Sequence, residues 1–191
     1  MENCTVLTDG DKLKNIRKKY VLKQEEISGS AITRNLISEI ETNKATITKN
    51  TAEIIIKNLA LLAKERHFQF TETVEYLLEN ETMQANKIVN HYINELKSLN
   101  ISKDGNFTTK LKEIESFLLK YDIPDKKIII YELAGDYYCN KNEMSKSVIY
   151  YEKAITLTGK LTLSNTSLTL LRKLSMVYGY LGRYKESIEC C

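Results

Sequence analysis

Residues 24–44 constrain the fold more than any other part of this chain. Their sequence is QEEISGSAITRNLISEIETNK, in which the small residues GSA separate two short helical patterns. The first pattern contains Ile27, and the second places Ile37 and Ile40 three positions apart on one side. Thr33 stands just before the second pattern, and a hydroxyl residue at that position commonly caps a helix N-terminus. The stretch therefore predicts two short helices joined by a tight turn.

The second of these helices would expose a polar tip, because its isoleucines face the other way. A short helix with a polar outer face, braced by another helix across a turn, fits the major groove of DNA. The outer face near its N-terminus would carry Arg34, Asn35, Ser38 and Glu39. This pattern favours a DNA-binding function.

The same motifs resemble those of a known family. LKQEEIS at 22–28 and ITRNLISEIETNK at 32–44 are similar to the L-T-Q-E-E-L-A and S-R-S-x-I-S-x-I-E-x-G-K motifs of the XRE (lambda-repressor-like) regulators. The resemblance covers residues 10–66 and implies a helix-turn-helix bundle of four or five helices whose third helix contacts bases. The chain departs from the family in a turn that is one residue shorter, in Asn43 at a usual glycine position, and in the apolar Leu36.

The resemblance and the adjacent basic residues assign two sets of DNA contacts. Base contacts are expected from Arg34, Asn35, Ser38 and Glu39. Contacts with the DNA backbone are expected from Gln24, Thr33, Asn43, Lys44, Lys19 and Lys23. Asn43 is compatible with its position because asparagine tolerates the left-handed conformation that glycine adopts there.

Positive charge is concentrated in this first part of the chain. Residues 1–66 hold 12 Lys or Arg and 9 Asp or Glu, whereas the remaining residues hold 16 of each, so the net charge of +3 lies entirely in 1–66. Residues 12–23 contain six cationic residues and no acidic one. An isolated run of this kind is usually a solvated helix face. Beside the helix-turn-helix pattern it favours neutralisation of DNA phosphates.

Composition predicts an all-α, globular, cytoplasmic protein. The chain has 191 residues, 42% of them apolar and 28% charged, with one proline, seven glycines and no long alternating apolar pattern. No apolar run is long enough for a membrane span, and the N-terminus lacks the order of a secretory signal. The four cysteines form no Cys-x-x-Cys pair and have no zinc-ligand spacing with the two histidines. We therefore expect free thiols, no cofactor, no metal and no enzymatic activity.

The first domain is expected to span residues 1–80 and the second residues 81–191. Residues 1–9 are expected to form a loose tail. Helices are predicted from Gly10, with Leu13 and Ile16 inward, and from Thr48, with Ile54, Ile55, Leu59 and Leu62 at helical spacing. A short helix is predicted within 74–78, with Thr71 or Thr73 as its cap. The second domain should begin with a helical hairpin over 82–121, in which the segment 100–106 forms a turn-rich loop.

The last third of the chain contains two copies of one sequence pattern. Y-x-x-A-G-x-x-Y at 131–138 and S-x-x-x-Y-x-x-A at 147–154 resemble a tetratricopeptide repeat, and L-x-x-L-S-x-x-Y at 171–178 begins a second copy. Tyr138 and Tyr178 are 40 positions apart, longer than the usual period of roughly 34. The extra residues near 160–169 should lengthen the helices or the loop between them. Small residues such as Ala134 and Gly135 are expected to let the paired helices approach, and the tyrosines are expected to pack in the core rather than bind a ligand.

The last residue of the sequence falls within the expected second helix of the second repeat. Such repeats bury their faces only by stacking on neighbours. We therefore expect either that the sequence is a piece of a longer protein or that this face pairs with another chain.

A helix-turn-helix head followed by such repeats is similar to the peptide-pheromone receptors of Gram-positive bacteria, which serve quorum sensing. The resemblance implies a homodimeric regulator that binds double-stranded DNA and holds a short peptide or protein partner in the groove of its repeats. Asn140, Asn142 and Lys173 are polar side chains near that groove, although asparagine in a loop is more often explained by turn chemistry. The alternative hypothesis is a Rap-like interaction module whose head does not bind DNA.

Overall fold

The computed structural model describes residues 5–102, 105–161 and 164–190, and every regular element within these ranges is a helix. This confirms the all-α prediction. The helices are α1 (Asp9–Lys19), α2 (Gln24–Ser28), α3 (Arg34–Glu41), α4 (Lys49–Arg66), α5 (Val74–Leu78), α6 (Glu81–Ser102), α7 (Phe107–Lys120), α8 (Pro124–Asn140), α9 (Met144–Leu161), α10 (Ser164–Tyr180) and α11 (Tyr184–Glu189).

The chain divides into two compact units, residues 1–85 and 86–191. The division lies inside α6, five residues beyond the predicted boundary at Asn80. The reason is a pair of hydrogen bonds that ties the first turn of α6 to the first unit. The side-chain amide of Gln84 accepts from the Leu7 backbone amide and donates to the Leu7 carbonyl, each at 2.9 Å.

The core of the first unit consists of the aliphatic residues that the helical periodicity predicted. Burial of this set removes apolar surface from water and is the main force that holds the short helices together. Its fully buried members include Leu13, Ile16, Ile27, Ile37, Ile40, Ile55 and Leu59.

Four threonines fix where the helices of this unit begin. In each case the hydroxyl accepts a hydrogen bond from a backbone amide in the first turn, which satisfies a group with no partner within the helix. Thr33 caps α3 at 3.2 Å, as predicted, and Thr48 caps α4 at 3.2 Å, at the predicted start of that helix. Thr73, one of two predicted candidates, caps α5. Thr8 caps α1 in a capping box with Asp11.

Two expectations about irregular segments were partly wrong. The predicted loose tail over residues 1–9 is ordered at Leu7 and Thr8 by the Gln84 bonds and by the capping box, while residues 1–4 lie outside the described residues. The predicted loop over 100–106 begins later, because α6 continues to Ser102.

Within the second unit, α8 and α9 pack at a point where only glycine fits. A Cβ atom added at Gly135 would lie 2.4 Å from the Tyr151 ring, so the helices approach closely because that atom is missing. The Ser147 hydroxyl donates to the Gly135 carbonyl at 2.8 Å in the same contact. These distances confirm the prediction that small residues let the paired helices approach.

The tyrosines of the repeat pattern are core residues. Tyr138, Tyr151 and Tyr178 are each less than a tenth exposed, and Tyr151 and Tyr178 pack with Ala154 and Leu174 in one cluster. The extra residues between the two copies lengthen the helices, since α9 extends to Leu161 and α10 begins at Ser164. In the described part of the chain no helix combines the length and apolar character needed to cross a bilayer.

Candidate nucleic-acid interface

The turn between α2 and α3 depends on Gly29. Its φ is +57°, a conformation that side chains strongly disfavour. An added Cβ would also lie 2.6 Å from the Asn58 side-chain nitrogen. That nitrogen donates to the carbonyls of Ile27 and Ser28 at 2.9 and 3.0 Å, which closes the C-terminal end of α2 against α4. Gly29 and Asn58 together set the direction in which the chain leaves α2.

Helix α3 presents two distinct faces. Ile37 and Ile40 are fully buried in the core of the first unit. Three of the four predicted base-contacting residues, Arg34, Asn35 and Glu39, are exposed, while Ser38 is half-buried. The polar face of α3 therefore points away from the core of the first unit, as the sequence pattern predicted and as a helix that enters a DNA groove requires.

The Arg34 guanidinium pairs with one carboxylate but remains exposed to solvent. It lies 3.6 Å from the Glu25 carboxylate, with the two side chains 63% and 67% exposed. An ion pair this exposed contributes about 0–1 kcal/mol. Arg34 can therefore exchange this partner for another acceptor at little cost.

The C-terminal end of α3 is anchored by a buried carboxylate. Glu41 is 3% exposed and accepts from Arg17 Nε at 2.8 Å, from a terminal nitrogen of Arg17 at 3.3 Å, and from Gln24 Nε2 at 2.9 Å. The hydrogen bond to Glu41 raises the pKa of the Arg17 guanidinium. A carboxylate bound by a two-pronged guanidinium and an amide fixes α3 relative to α1 and α2.

This anchor gives Gln24 a role that the sequence did not indicate. Its side-chain amide holds Glu41, and one further N–H of that group remains for another acceptor such as a phosphate. The contribution of Glu41 was missed, although an acid that directly follows the buried stripe of Ile37 and Ile40 is a usable signal.

The segment after α3 is held against the start of α1. Asn43 has φ +56°, as expected for a residue at a usual glycine position, and its side-chain oxygen accepts from the Gly10 amide at 3.1 Å. The Asp9 carboxylate accepts from the Ile47 amide at 3.0 Å. These bonds bracket Lys44, whose side chain is exposed. Thr33 is likewise exposed at the opposite end of α3, where it serves as the helix cap.

The cationic run over residues 12–23 is not one open patch, contrary to the simplest interpretation of its charges. Lys12 is 1% exposed, and its ammonium donates to the carbonyls of Leu77 and Glu79. Arg17 is committed to Glu41. Helical periodicity explains the burial, because position 12 lies beside Leu13 and Ile16 on the inner side of α1.

Lys19 and Lys23 differ in how available they are. Lys19 lies 2.7 Å from Glu72, and this hydrogen bond raises its pKa, although its side chain is 53% exposed. Lys23 is exposed and is bound through its backbone, since its amide donates to the Glu26 carboxylate at 2.6 Å and its carbonyl accepts from the Glu26 and Ile27 amides. Lys23 is therefore the freer of the two predicted backbone contacts.

In the second unit, the polar residue nearest the predicted groove is already engaged. The Lys173 ammonium on α10 binds the carboxylates of Glu132 at 2.7 Å and Asp136 at 2.8 and 2.9 Å on α8. The Tyr151 hydroxyl donates to the same Asp136 carboxylate at 2.6 Å. Asn142 has φ +58°, which supports turn chemistry at that position.

Comparisons with protein-family models, with curated proteins and with solved structures found no match to this chain. Within the described residues, no group of three or more His, Cys, Asp or Glu side chains is arranged to hold a metal ion.

Proposed function

We propose that this protein is a sequence-specific DNA-binding transcriptional regulator of the helix-turn-helix type. The observation that carries the proposal is α3, whose apolar side is buried while Arg34 and Asn35 at its N-terminal end and Glu39 in its last turn are exposed. Polar side chains on an exposed short helix can reach base edges in the major groove, where each base pair offers a distinct pattern of donors and acceptors. The anchors at Gly29 and Glu41 support such a role, because base recognition requires a fixed helix.

The proposal requires two heads on one operator. One short helix contacts too few bases for selectivity in a genome. Two heads that dock about one turn of DNA apart double the contacts and imply a two-fold symmetric site. Dimerisation is therefore part of the proposal, with the helices after Asn80 as its source.

The second unit is proposed to bind a short signalling peptide or a protein partner and so to control the DNA-binding state of the dimer. Support comes from the α8–α9 pair, whose small-residue and tyrosine packing matches the logic of a tetratricopeptide repeat. Lys173 with Glu132 and Asp136 would supply charge at the faces of α8 and α10. An extended peptide with a free carboxylate could compete for this ammonium group.

Selection of bound sequences from a random double-stranded DNA library, followed by gel shifts, tests the first part. Arg34→Ala should weaken binding to the selected site by roughly 1–3 kcal/mol and relax specificity at one base step. Lys44→Ala should weaken selected and scrambled DNA alike and reduce the slope of log K against log salt by about 1.

The control is Lys57→Ala, which removes an exposed charge on α4 and should leave both measurements unchanged. Equal loss on selected and scrambled DNA for Arg34→Ala would refute base contact by that side chain. Enrichment of no sequence at low salt would refute the proposal as a whole.

One observation favours a second candidate, an interaction module with a head that does not bind DNA. Lys12, Arg17 and Lys19 have partners within the fold, and the exposed acids Glu25 and Glu39 flank the tip of α3. This module would bind a protein partner with the same affinity in the presence and absence of any DNA. Failure of the DNA selection with retained partner capture would favour it.

A further inference from the structure

A cleft of about 480 Å³ opens between α7 and α9, next to the C-terminal end of α8. Three lysines line it, Lys112 from α7 and Lys146 and Lys153 from α9. It belongs entirely to the second unit and has no part in the DNA contacts proposed above. The second unit, residues 86–191, holds 16 Lys or Arg and 12 Asp or Glu, and three of these ammonium groups gather around one cleft.

The residues around the cleft are brought together by two helical stripes. Lys146, Tyr150 and Lys153 follow one another at i, i+4 and i+7 on α9, so they share one face of that helix. Thr108 and Lys112 are four positions apart on α7 and likewise share a face. The packing of these two faces, rather than any single loop, forms the cleft.

Tyrosine rings hold two of the ammonium groups in place. The Lys146 nitrogen lies 5.2 Å from the centre of the Tyr138 ring, and the Lys153 nitrogen lies 4.7 Å from the centre of the Tyr150 ring. The two rings are themselves stacked, with centroids 5.5 Å apart and an interplanar angle of 13°. Cation–π contacts restrict lysine side chains that would otherwise be disordered in solvent, and this lowers the entropic cost of ligand binding.

The carboxylates near the cleft do not neutralise it. Lys153 lies 3.4 Å from Glu115 and Lys146 lies 2.5 Å from Glu143, and in both pairs the lysine is about half exposed. Pairs this exposed are weak, because water screens their attraction. Lys112 is exposed and has no carboxylate partner among the described residues. One uncompensated positive charge and two weakly held ones therefore face the cleft.

The volume and the apolar wall determine the kind of anion that fits. A cleft of this size falls within the range of small-molecule sites, which is roughly 300–1,000 Å³, and far exceeds one phosphate ion. Ile149 lines it and is 50% exposed, which provides an apolar surface for an organic body. The Thr108 hydroxyl donates to the Gly105 carbonyl at 3.3 Å, so its oxygen can accept a hydrogen bond from a ligand hydroxyl. Compact ammonium groups suit a phosphate, whose charge and three oxygens can satisfy several lysines at once.

We propose that this cleft binds a small organic phosphate monoester, with the phosphate at Lys112, Lys146 and Lys153 and the organic body against Ile149. Both nucleoside monophosphates and sugar phosphates have this chemistry. The proposal does not rest on DNA binding by the first unit, so either can fail without the other.

The test is isothermal titration of the full chain at low salt with AMP, glucose 6-phosphate, inorganic phosphate, adenosine and glucose. We expect AMP or glucose 6-phosphate to bind at least tenfold more tightly than inorganic phosphate, and the two phosphate-free compounds not to bind. Preference for AMP would identify a nucleotide, and preference for glucose 6-phosphate a sugar phosphate. Equal binding of inorganic phosphate and both esters, or no binding of either ester at 10 mM, would overturn the proposal.

Two variants locate the binding. The triple substitution Lys112→Gln, Lys146→Gln and Lys153→Gln should reduce affinity for the preferred ester at least tenfold. Ile149→Trp, which fills the apolar side but keeps the lysines, should reduce ester affinity and spare inorganic phosphate. The matched control replaces the exposed Lys97, Lys120 and Lys185 with Gln and should change affinity less than twofold. Equal losses in the control and the cleft triple variant, with unchanged circular dichroism, would show that binding is non-specific and overturn the assignment.

Discussion

Gly135→Ala should destabilise the second unit, although alanine is normally the better residue in a helix. Gly135 is buried within α8, where the helix propensity alone would favour alanine by about 1 kcal/mol. The added Cβ, however, would lie 2.4, 2.5 and 2.9 Å from three atoms of the Tyr151 ring. Carbon atoms pack at about 3.5–4.0 Å, so one of the two helices must move by roughly 1 Å.

The surroundings of Tyr151 determine how much Gly135→Ala destabilises the protein. The ring is 1% exposed and its hydroxyl is bound to Asp136, so it cannot rotate away. Overpacking of this kind costs about 1–3 kcal/mol. Separation of α8 from α9 also strains the bonds from Ser147 to Gly135 and from Tyr151 to Asp136, worth about 0.5–1.5 kcal/mol each. After the gain in helix propensity is subtracted, the net loss is about 1–5 kcal/mol.

The matched control is Gly179→Ala in α10, where an added Cβ would meet nothing within 4 Å. It should stabilise the protein by about 0.5–1 kcal/mol, so the two glycines should give changes of opposite sign. Urea unfolding followed by circular dichroism measures both. Because the two units can unfold in separate steps, hydrogen exchange over α8 and α9 should assign the affected transition.

A double-mutant cycle isolates the contact itself. Tyr151→Leu removes the ring, so Gly135→Ala should cost less in that background, with a coupling energy of about 1–3 kcal/mol. If Gly135→Ala instead stabilised the protein as much as Gly179→Ala does, the close packing of α8 against α9 would be refuted.

Three further outcomes concern the first unit. Glu41→Gln should lower the free energy of unfolding by about 1.5–3 kcal/mol, because Arg17 loses a charged acceptor, and denaturant titration measures it. Lys12→Met should lower the free energy of unfolding by about 1–3 kcal/mol in the same assay, since the Leu77 carbonyl loses the Lys12 donor and the Glu79 carbonyl loses it but keeps Gln84 Nε2; an unchanged midpoint would contradict the bonding described. The hydrogen bond from the Thr8 hydroxyl lowers the pKa of Asp11. The stability advantage of the wild type over Asp11→Asn should therefore be constant above about pH 4 and disappear as pH falls through the folded pKa. An advantage that grew on acidification would contradict it.

Local patterns predicted the helices because their determinants are short-range. Thr33 and Thr48 are helix caps that act over three residues, and Ile37 with Ile40 define a buried side over one turn. Gly135 was recognisable because its spacing within the repeat pattern implied a close approach. Each of these signals lies within a few positions of the structure that it specifies.

Contacts between distant positions could not be predicted in the same way. The Gln84 bonds to Leu7 connect residues 77 positions apart, and nothing near either residue indicates the other. Lys12 appeared to be one member of a cationic run, yet its ammonium is buried under the carbonyl groups that follow α5. A charge count along the sequence cannot distinguish solvated lysines from those that satisfy backbone acceptors.

Several cations of the first unit are bound to groups within the fold, which leaves fewer of them for DNA phosphates. This strengthens the case that the proposed regulator binds as a dimer. Once Lys12, Arg17 and Lys19 have partners, residues 12–44 retain five cations for phosphate contact, Lys14, Lys18, Lys23, Arg34 and Lys44, of which Arg34 is assigned to a base. Four phosphate contacts would give a salt slope of about −3.6, below that of proteins with 6–10 such contacts. Two heads double the slope to about −7 and bring it into that range. A measured slope near −4 on the selected operator would therefore indicate that one head binds alone, and the proposed regulator would lose its route to genomic selectivity.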